Sequence, residues 1–321
     1  MEKLDIVIDW RLFEGILNRV FAKENKGAGG RPPYNYLLLF KSLILQRLFN
    51  ISDNQAEFQI NDRMTFKRFL GMSLGDQVPD AKTIWLFRDT LVKAGVIEEL
   101  FNSFSFQLEQ QGIISHKGTI VDAMFVEAPR QRNTRDENQQ IKEGKTPEDW
   151  EKPENVHKVR QKDTDARWTI KNKDRHFGYK DHVKVDAESK LITGYSVTDA
   201  SVHDSQVLIG LMDEIDKVLY ADSAYSRNPI AEQLPKGIEN QIHEKEYRNR
   251  PLSEEQKAEN KRESRIRSRI EHIFGYMTGT MRGITVRSIG IARAKFNIGL
   301  TNLIYNLCRY EISSRVLPVT G

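Results

Sequence analysis

An aspartate set inside an otherwise unbroken apolar run limits what this chain can fold into more than any other feature. Residues 118–126, GTIVDAMFV, are rich in β-branched and apolar side chains and read as a buried strand. Asp122 interrupts them, with Thr119, Ile120 and Val121 before it and Ala123, Met124 and Phe125 after it. A carboxylate taken out of water without a partner is costly. The strand must therefore lie at a solvated edge or deliver Asp122 to a cation. A second strand, KVLYAD (217–222), poses the same question by ending on Asp222. Carboxyl ends of strands in α/β sheets are where sites form, although a strand-terminating turn or helix cap explains Asp222 alone equally well.

The rest of the chain reads as a helical front followed by a sheet-forming segment. Residues 1 to about 30 are an amphipathic lead-in ending in a Gly- and Pro-rich loop at 26–33. Leu37, Phe40, Ile44 and Leu48 then recur at helical spacing. Ser52 with Gln55 reads as a capping box, and 63–70 as a further short helix. Pro79 and Asp80 start a helix carrying Ile84, Phe87 and Leu91; Gly95 ends it, and 96–111 form another. Residues 127–176 are polar with little periodicity, the composition of a surface insertion or mobile loop.

FGYKDHVKVD (177–186) and KLITGYSVTD (190–199) alternate as a hairpin turning at 187–189. Helices are expected at 203–215 and 228–235, and a last strand at 237–243. Ser253 and Gln256 form a capping box for a long helix with Ile266, Ile270, Phe274 and Met277 on one face. Gly283 breaks that pattern, and a final helix over 289–311 uses Ile298, Leu303 and Leu307. Three consecutive strands and then alternating units predict an α/β fold, a mixed sheet flanked by helices. The expected division is an all-α N-terminal domain over about 1–115 and a sheet domain over 116–321.

The long helix adds a third carboxylate. Glu271 lies between Ile270 and Ile273, one turn after Arg267, at the spacing where side chains meet. A lone helical glutamate is ordinarily solvated surface; two strand-borne aspartates before it give it another meaning. Together the three would gather oxygen ligands for Mg²⁺ or Mn²⁺, hard ions that prefer such donors. Two such ions, roughly 3.5–4 Å apart, activate an attacking water or hydroxyl and stabilise the leaving oxygen of a phosphodiester. That chemistry needs no cysteine. The single cysteine, Cys308, allows neither an intramolecular disulfide nor a cysteine zinc cluster.

VDAMFVEAPRQRN, then TDASVHDSQVL with YADSAYS, and finally RSRIEHIFGYM resemble the three catalytic blocks of a bacterial insertion-sequence transposase. The resemblance is to the insertion-sequence-five family of DDE transposases. GRPPY, LFKSLILQRLFNISDNQAEFQINDRMTFKRFLG and VPDAKTIWLFRDTL resemble that family's helical N-terminal domain, so the likeness covers nearly the whole chain. It implies an RNase H-like fold with Asp122, Asp222 and Glu271 as the metal-binding triad. Of the related Y-x-x-R-x-x-x-E-x-x-x-x-x-x-K signature, Arg267 and Glu271 fit, while Ser264 and Thr278 stand at the tyrosine and lysine positions.

Basic residues surround this core pattern. Lys261, Arg262, Arg265, Arg267 and Arg269 fall within nine positions before Glu271. They suit phosphate contact near a cut site, or a solvated helix face partnered by Glu259 and Glu263. Arg63, Lys67 and Arg68 have the placement of a helix-turn-helix reader, or of a plain helical bundle. His203 and Asp204 stand near the metals or cap a helix. Lys180 and His182 alternate on a strand, facing DNA or solvent. A net charge of +4 and a pI near 8.9 permit nucleic acid.

The most apolar stretch, 36–49, is interrupted by Lys41, Gln46 and Arg47, too short and too charged to span a bilayer. The opening MEKLDIVIDW lacks the charged and apolar regions of a signal peptide. These features predict a soluble protein of a reducing compartment with no membrane partner, and the resemblance implies a bacterial, cytoplasmic and nucleoid-associated one. By the resemblance it cleaves the terminal inverted repeats of an insertion sequence and transfers the strand to target DNA, as a homodimer or higher assembly. The alternatives are a catalytically silent DNA-binding derivative and a plain RNase H-like nuclease or resolvase.

Overall fold

The apolar run forms β1 (Thr119–Glu127), and it lies inside the sheet. On one side it pairs antiparallel with β3 (Asp174–Asp186), on the other parallel with β5 (Val218–Ala221). This excludes the edge-strand reading of Asp122. The computed structural model describes residues 1–22, 33–171, 173–225, 233–246 and 251–315. Most of the loop expected at 26–33 and of the helix expected at 228–235 lies outside them.

The mixed sheet continues from β5 to a parallel β6 (Glu239–Ile242). The outer edge of β3 is shared by two antiparallel partners. β2 (Arg167–Lys171) pairs with residues up to Gly178, and β4 (Ile192–Asp199) pairs from Tyr179 onward. The exchange falls at Gly178, with φ +149°, where a Cβ would stand 2.2 Å from the Val126 carbonyl oxygen. Only glycine lets the strands approach so closely. The β3–β4 turn is held by Asp186, whose Oδ2 accepts from the Ser189 N–H and hydroxyl, both at 2.7 Å.

The helical front consists of α1 (Glu2–Val7), α2 (Arg11–Phe21), α3 (Tyr36–Phe49), α4 (Asp53–Asp62), α5 (Met64–Phe69), α6 (Ala81–Ala94) and α7 (Ile97–Gln110). Asn35, Ser52 and Asp80 cap α3, α4 and α6 through their side chains, and Gly95 closes α6 in the left-handed region. These helices bury Phe13, Leu17, Phe40 and Ile60 among themselves, but their core is continuous with that of the sheet. The last helix, α12 (Ile291–Ser314), packs against α7 and α3 on one side and β4 on the other. One apolar cluster therefore runs from Leu4 through Phe40, Ile120 and Val183 to Leu307. Polar ties cross the same boundary, including Arg47 Nε to the Thr301 hydroxyl at 2.8 Å and Arg293 to Asp89 at 3.2 Å. No helix among the described residues is long and apolar enough to cross a membrane.

Two sequence expectations are corrected. Residues 127–176 are not a bare loop: α8 (Arg135–Lys142), two 3₁₀ turns, α9 (Val156–Gln161) and β2 fill them. A small core explains this order. Trp150 is fully buried and donates its indole N–H to Glu137 at 2.6 Å, with the Lys162 ammonium 5.1 Å above its ring. The helix expected at 203–215 is only a 3₁₀ turn and the single-turn α10 (Leu208–Leu211). It stops where Met212 turns extended, and beyond it the buried Asp216 holds a turn, accepting from the Asp213 N–H at 2.9 Å and the Thr119 hydroxyl at 2.7 Å.

Two predictions follow from the shared core. A fragment covering 1–115 leaves Leu43, Leu100 and Phe104 without the cover of α12. It should show helical far-ultraviolet dichroism but no cooperative melt. A sharp melt near that of the whole chain would establish an independent front.

The second concerns Asp181, fully buried on β3. It accepts from Asn302 Nδ2 at 3.1 Å, while its other oxygen and Asn302 Oδ1 have no partner. Burial pushes its carboxyl up to about 7 from an ordinary 3.8. The folded state then holds this proton more tightly than the unfolded chain, so stability falls as pH rises between those values and levels off above. Asp181→Asn should remove that decline and raise the melting temperature at pH 8. A lower melting temperature at that pH, with the decline intact, would contradict the assignment.

Candidate active site

The strands β5 and β6 end level with the middle of β1, where its parallel pairing with β5 stops, and each of the three delivers a polar group there. Ile120 faces Tyr220 and Val121 faces Ala221, so the next step of the register sets Asp222 beside Asp122 on the same face. On β6, Ile242 faces Ala221; His243 follows, its N–H on the Ala221 carbonyl at 3.1 Å. Across these ends lies α11 (Glu254–Gly275), opened by the capping box of Ser253 and Gln256. Buried Ile270 and Ile273 seat it on the core, which places Glu263 and Arg267 on the flank facing the strand ends.

Arg267 is the centre of the arrangement. Its Nη2 lies 3.4 Å from Asp122 Oδ2, and its Nη1 lies 4.0 Å from Asp222 Oδ1 and 3.4 Å from His243 Nδ1. Backbone donors orient both carboxylates: the Ala123 N–H reaches Asp122 Oδ1 at 2.8 Å, and the Ser223 N–H reaches Asp222 Oδ1 at 2.6 Å. Asp222 thus also caps the 3₁₀ turn Ser223–Tyr225, the turn role that the sequence left open for it. The side chains of Arg267 and Asp122 are 17% and 21% exposed, against 45% for Asp222, so the site opens on the Asp222 side.

Burial pushes the Asp122 carboxyl above its ordinary range, opposed by the Ala123 N–H and the charge of Arg267 and reinforced by Asp222. Burial, with the same two aspartates and Asp204 adding to it, raises the phenol of Tyr225, whose hydroxyl has no hydrogen-bond partner among the described residues. His243 is lowered by burial and by the neighbouring Arg267. Its Nε2 stands 3.8 Å from the buried Glu263, whose carboxyl burial raises.

Glu271 is exposed one turn beyond Arg267, and among the described residues its carboxylate makes no hydrogen bond or ion pair. Among them no group of three or more His, Cys, Asp or Glu is gathered closely enough to hold a metal. The structure thus brings Asp122 and Asp222 together and leaves Glu271 outside that pair. Arg267 is tied to the aspartates, not to Glu271.

The other candidates divide by burial. Lys261 and Arg265 are exposed on α11, whereas Arg269 is tied to the Ala187 carbonyl. Arg63 stands over the Phe66 ring at 5.2 Å, and exposed Arg68 pairs with Glu2. Lys67 is buried with its ammonium on the Leu74 carbonyl at 2.7 Å, so it belongs to the fold rather than to a reading surface. Lys180 and His182 face neither DNA nor solvent. Lys180 binds Asp204 at 2.8 Å, and His182 meets the Thr198 hydroxyl at 2.9 Å inside the protein. His203 caps the 3₁₀ turn at Asp204–Gln206.

Sequence reasoning missed His243, Glu263 and Tyr225. The signal for His243 was present, because it ends its strand as Asp222 does. Glu263 and Tyr225 carried none, since a charge in a helix and a tyrosine after a strand are ordinary.

A family model described as a transposase DDE domain matches residues 114–307, and one described as a transposase domain matches residues 1–90. Among solved structures, the chain is similar to one from a cryo-EM structure of the piggyBac transposase synaptic complex with hairpin DNA. The identity is 12% and the TM-score 0.47, covering 97% of this chain and 76% of that one.

Proposed function

We propose that this chain, which belongs to the transposase DDE-domain family, cuts DNA at the ends of a mobile element and joins the freed 3′ hydroxyl to target DNA. The observation that carries this reading is the convergence of Asp122, within β1, and Asp222, just past the end of the neighbouring β5, in the segment that the family model matches.

The donor set fits a divalent ion. Two carboxylates share one positive charge, so the site is already built around a cation, and oxygen donors of this kind suit Mg²⁺ or Mn²⁺. Asp122, Asp222 and Glu271 would hold it. Glu271 is one turn, about 5.4 Å, beyond Arg267 along the helix and would give up no partner to serve. When bound, the metal supplies Lewis acidity at the phosphodiester and a more acidic attacking water.

The chain's own groups do the rest. Backbone N–H groups of Ala123 and Ser223 fix the directions of the two aspartates. The wall formed by Tyr225 and the Val121–Leu219 cluster keeps solvent from the far side. Exposed Lys261 and Arg265, on the helix that carries Glu271, meet phosphates beside the scissile bond. The helical front binds the terminal repeats, with Arg63 and Arg68 as its exposed cations. Two ends require two sites, hence at least a dimer on DNA.

Replacing Asp122, Asp222 or Glu271 with alanine should reduce Mg²⁺- or Mn²⁺-dependent cleavage of end-bearing DNA by at least roughly a hundredfold, the scale of one lost transition-state contact. End binding should persist. Near-normal cleavage by any of the three removes that residue from the site. Pre-cleaved ends offered with target DNA separate the readings: joined product identifies a transposase, cleavage without joining a nuclease. Binding without either identifies a silent derivative.

Lys261→Ala and Arg265→Ala should each flatten the salt dependence of DNA affinity by about 0.9 in log–log slope, one phosphate's worth. Unchanged slopes would move the phosphate contacts off α11.

A further inference from the structure

We infer that Arg267 is the site's built-in counter-ion and competes with the divalent metal for Asp122 and Asp222. This inference rests on the metal reading above and adds to it a residue that sets how tightly the metal is held.

The two cations seek the same oxygens. Arg267 Nη2 is directed at Asp122 Oδ2 and Nη1 at Asp222 Oδ1. An ion bridging that pair needs the gap the guanidinium spans, so one must leave for the other to bind.

The arginine is also held loosely. Its contacts of 3.4 and 4.0 Å are longer than the ~2.7–2.9 Å of a committed charge-assisted bond. The same protein shows what a committed pair looks like: Arg88 grips Asp53 with two bonds of 2.7 and 2.9 Å. Arg267 Nε, moreover, is buried with no hydrogen-bond partner among the described residues, so even in this position the guanidinium is incompletely satisfied.

A second set of acceptors stands on its other side. His243 Nδ1 already lies 3.4 Å from Nη1. Glu263, one turn earlier on the same helix, has a buried carboxylate oxygen without a hydrogen bond among the described residues. Moving from the aspartates toward Glu263 requires rotation about side-chain bonds, with no shift of the helix. Arg267 can therefore neutralise the aspartate pair and yield it to a metal without disturbing the seat of α11. Once released, its planar fork suits a substrate phosphate.

The test uses the full chain without DNA and Mn²⁺ as the probe, with binding followed by calorimetry and by the loss of the free-ion paramagnetic resonance signal. Asp122→Asn should abolish the site. Arg267→Gln should bind Mn²⁺ at least about tenfold more tightly than wild type, equivalent to ~1.4 kcal/mol. It should also melt lower in EDTA and gain more from added Mn²⁺. Arg267→Lys, which keeps the charge but cannot span both carboxylates, should fall between, and it decides the question if the glutamine variant does not fold. Asp122-dependent binding that is unchanged or weaker in the Arg267 variants overturns the competition and leaves the metal reading intact. No Asp122-dependent binding in any protein overturns both.

Discussion

The Asp122 carboxylate lies in mid-sheet, where water reaches it from one side only, and the surrounding elements are arranged so that it can stay there. A backbone N–H donates to it and a guanidinium from a distant helix stands 3.4 Å away, which offsets the cost of burial in part. For Arg267 to arrive, α11 must dock across the strand ends, and Ile270 and Ile273 provide the apolar seat that fixes its rotation. For Asp222 to arrive, β5 must pair parallel to β1 in one register, since a slip of one residue would turn its side chain to the other face. The site is a consequence of solving the problem of one buried charge. Replacing either partner alone leaves the other uncompensated, which is why such pairs are severe to break.

The same economy couples the two halves of the chain. α12 is buried between the helical front and the sheet, with polar residues inside as well as apolar ones. Asn306 completes the hydrogen bonding of the β4 edge by exchanging two bonds with the Ile192 backbone, at 2.9 and 2.7 Å. At Gly299 an added Cβ would stand 2.3 Å from the Tyr195 hydroxyl, so the helix approaches the sheet as closely as a backbone can. The front therefore moves with the sheet or opens the common core. Whatever the helices grip is held in fixed relation to the strand ends where Asp122 and Asp222 meet.

Much of this was legible in the sequence, and the legible parts share a cause. The strand at 118–126 and the hairpin at 177–199 follow from local apolar patterns, as do the caps at Ser52, Asp80 and Ser253, because a strand or helix end is set by residues within a few positions of it. The strand β2 and the helices around Trp150 were hidden. Their buried apolar groups, Ile141, Trp150 and Ala166, fall at no regular spacing and so give no period. Lys67 misled for the opposite reason: its neighbours Arg63 and Arg68 are surface cations, and nothing in the local sequence shows that its ammonium ends on the Leu74 carbonyl.

By itself the sequence determined the elements, the order α-front then mixed sheet, and the two aspartates as charges that an apolar strand cannot carry unaided. Local sterics and burial energies act on neighbours along the chain, so these conclusions needed no coordinates. Only the tertiary structure decided which cation answers Asp122. It chose Arg267 over a partner within the sheet, tied that arginine to the aspartates instead of Glu271, and added His243 and Glu263 behind it. It also decided that the front has no separate core. These relations join residues on different elements, 24 positions apart for Arg267 and His243 and 145 for Arg267 and Asp122, and they depend on the register of β5 and the seating of α11, which no local pattern encodes.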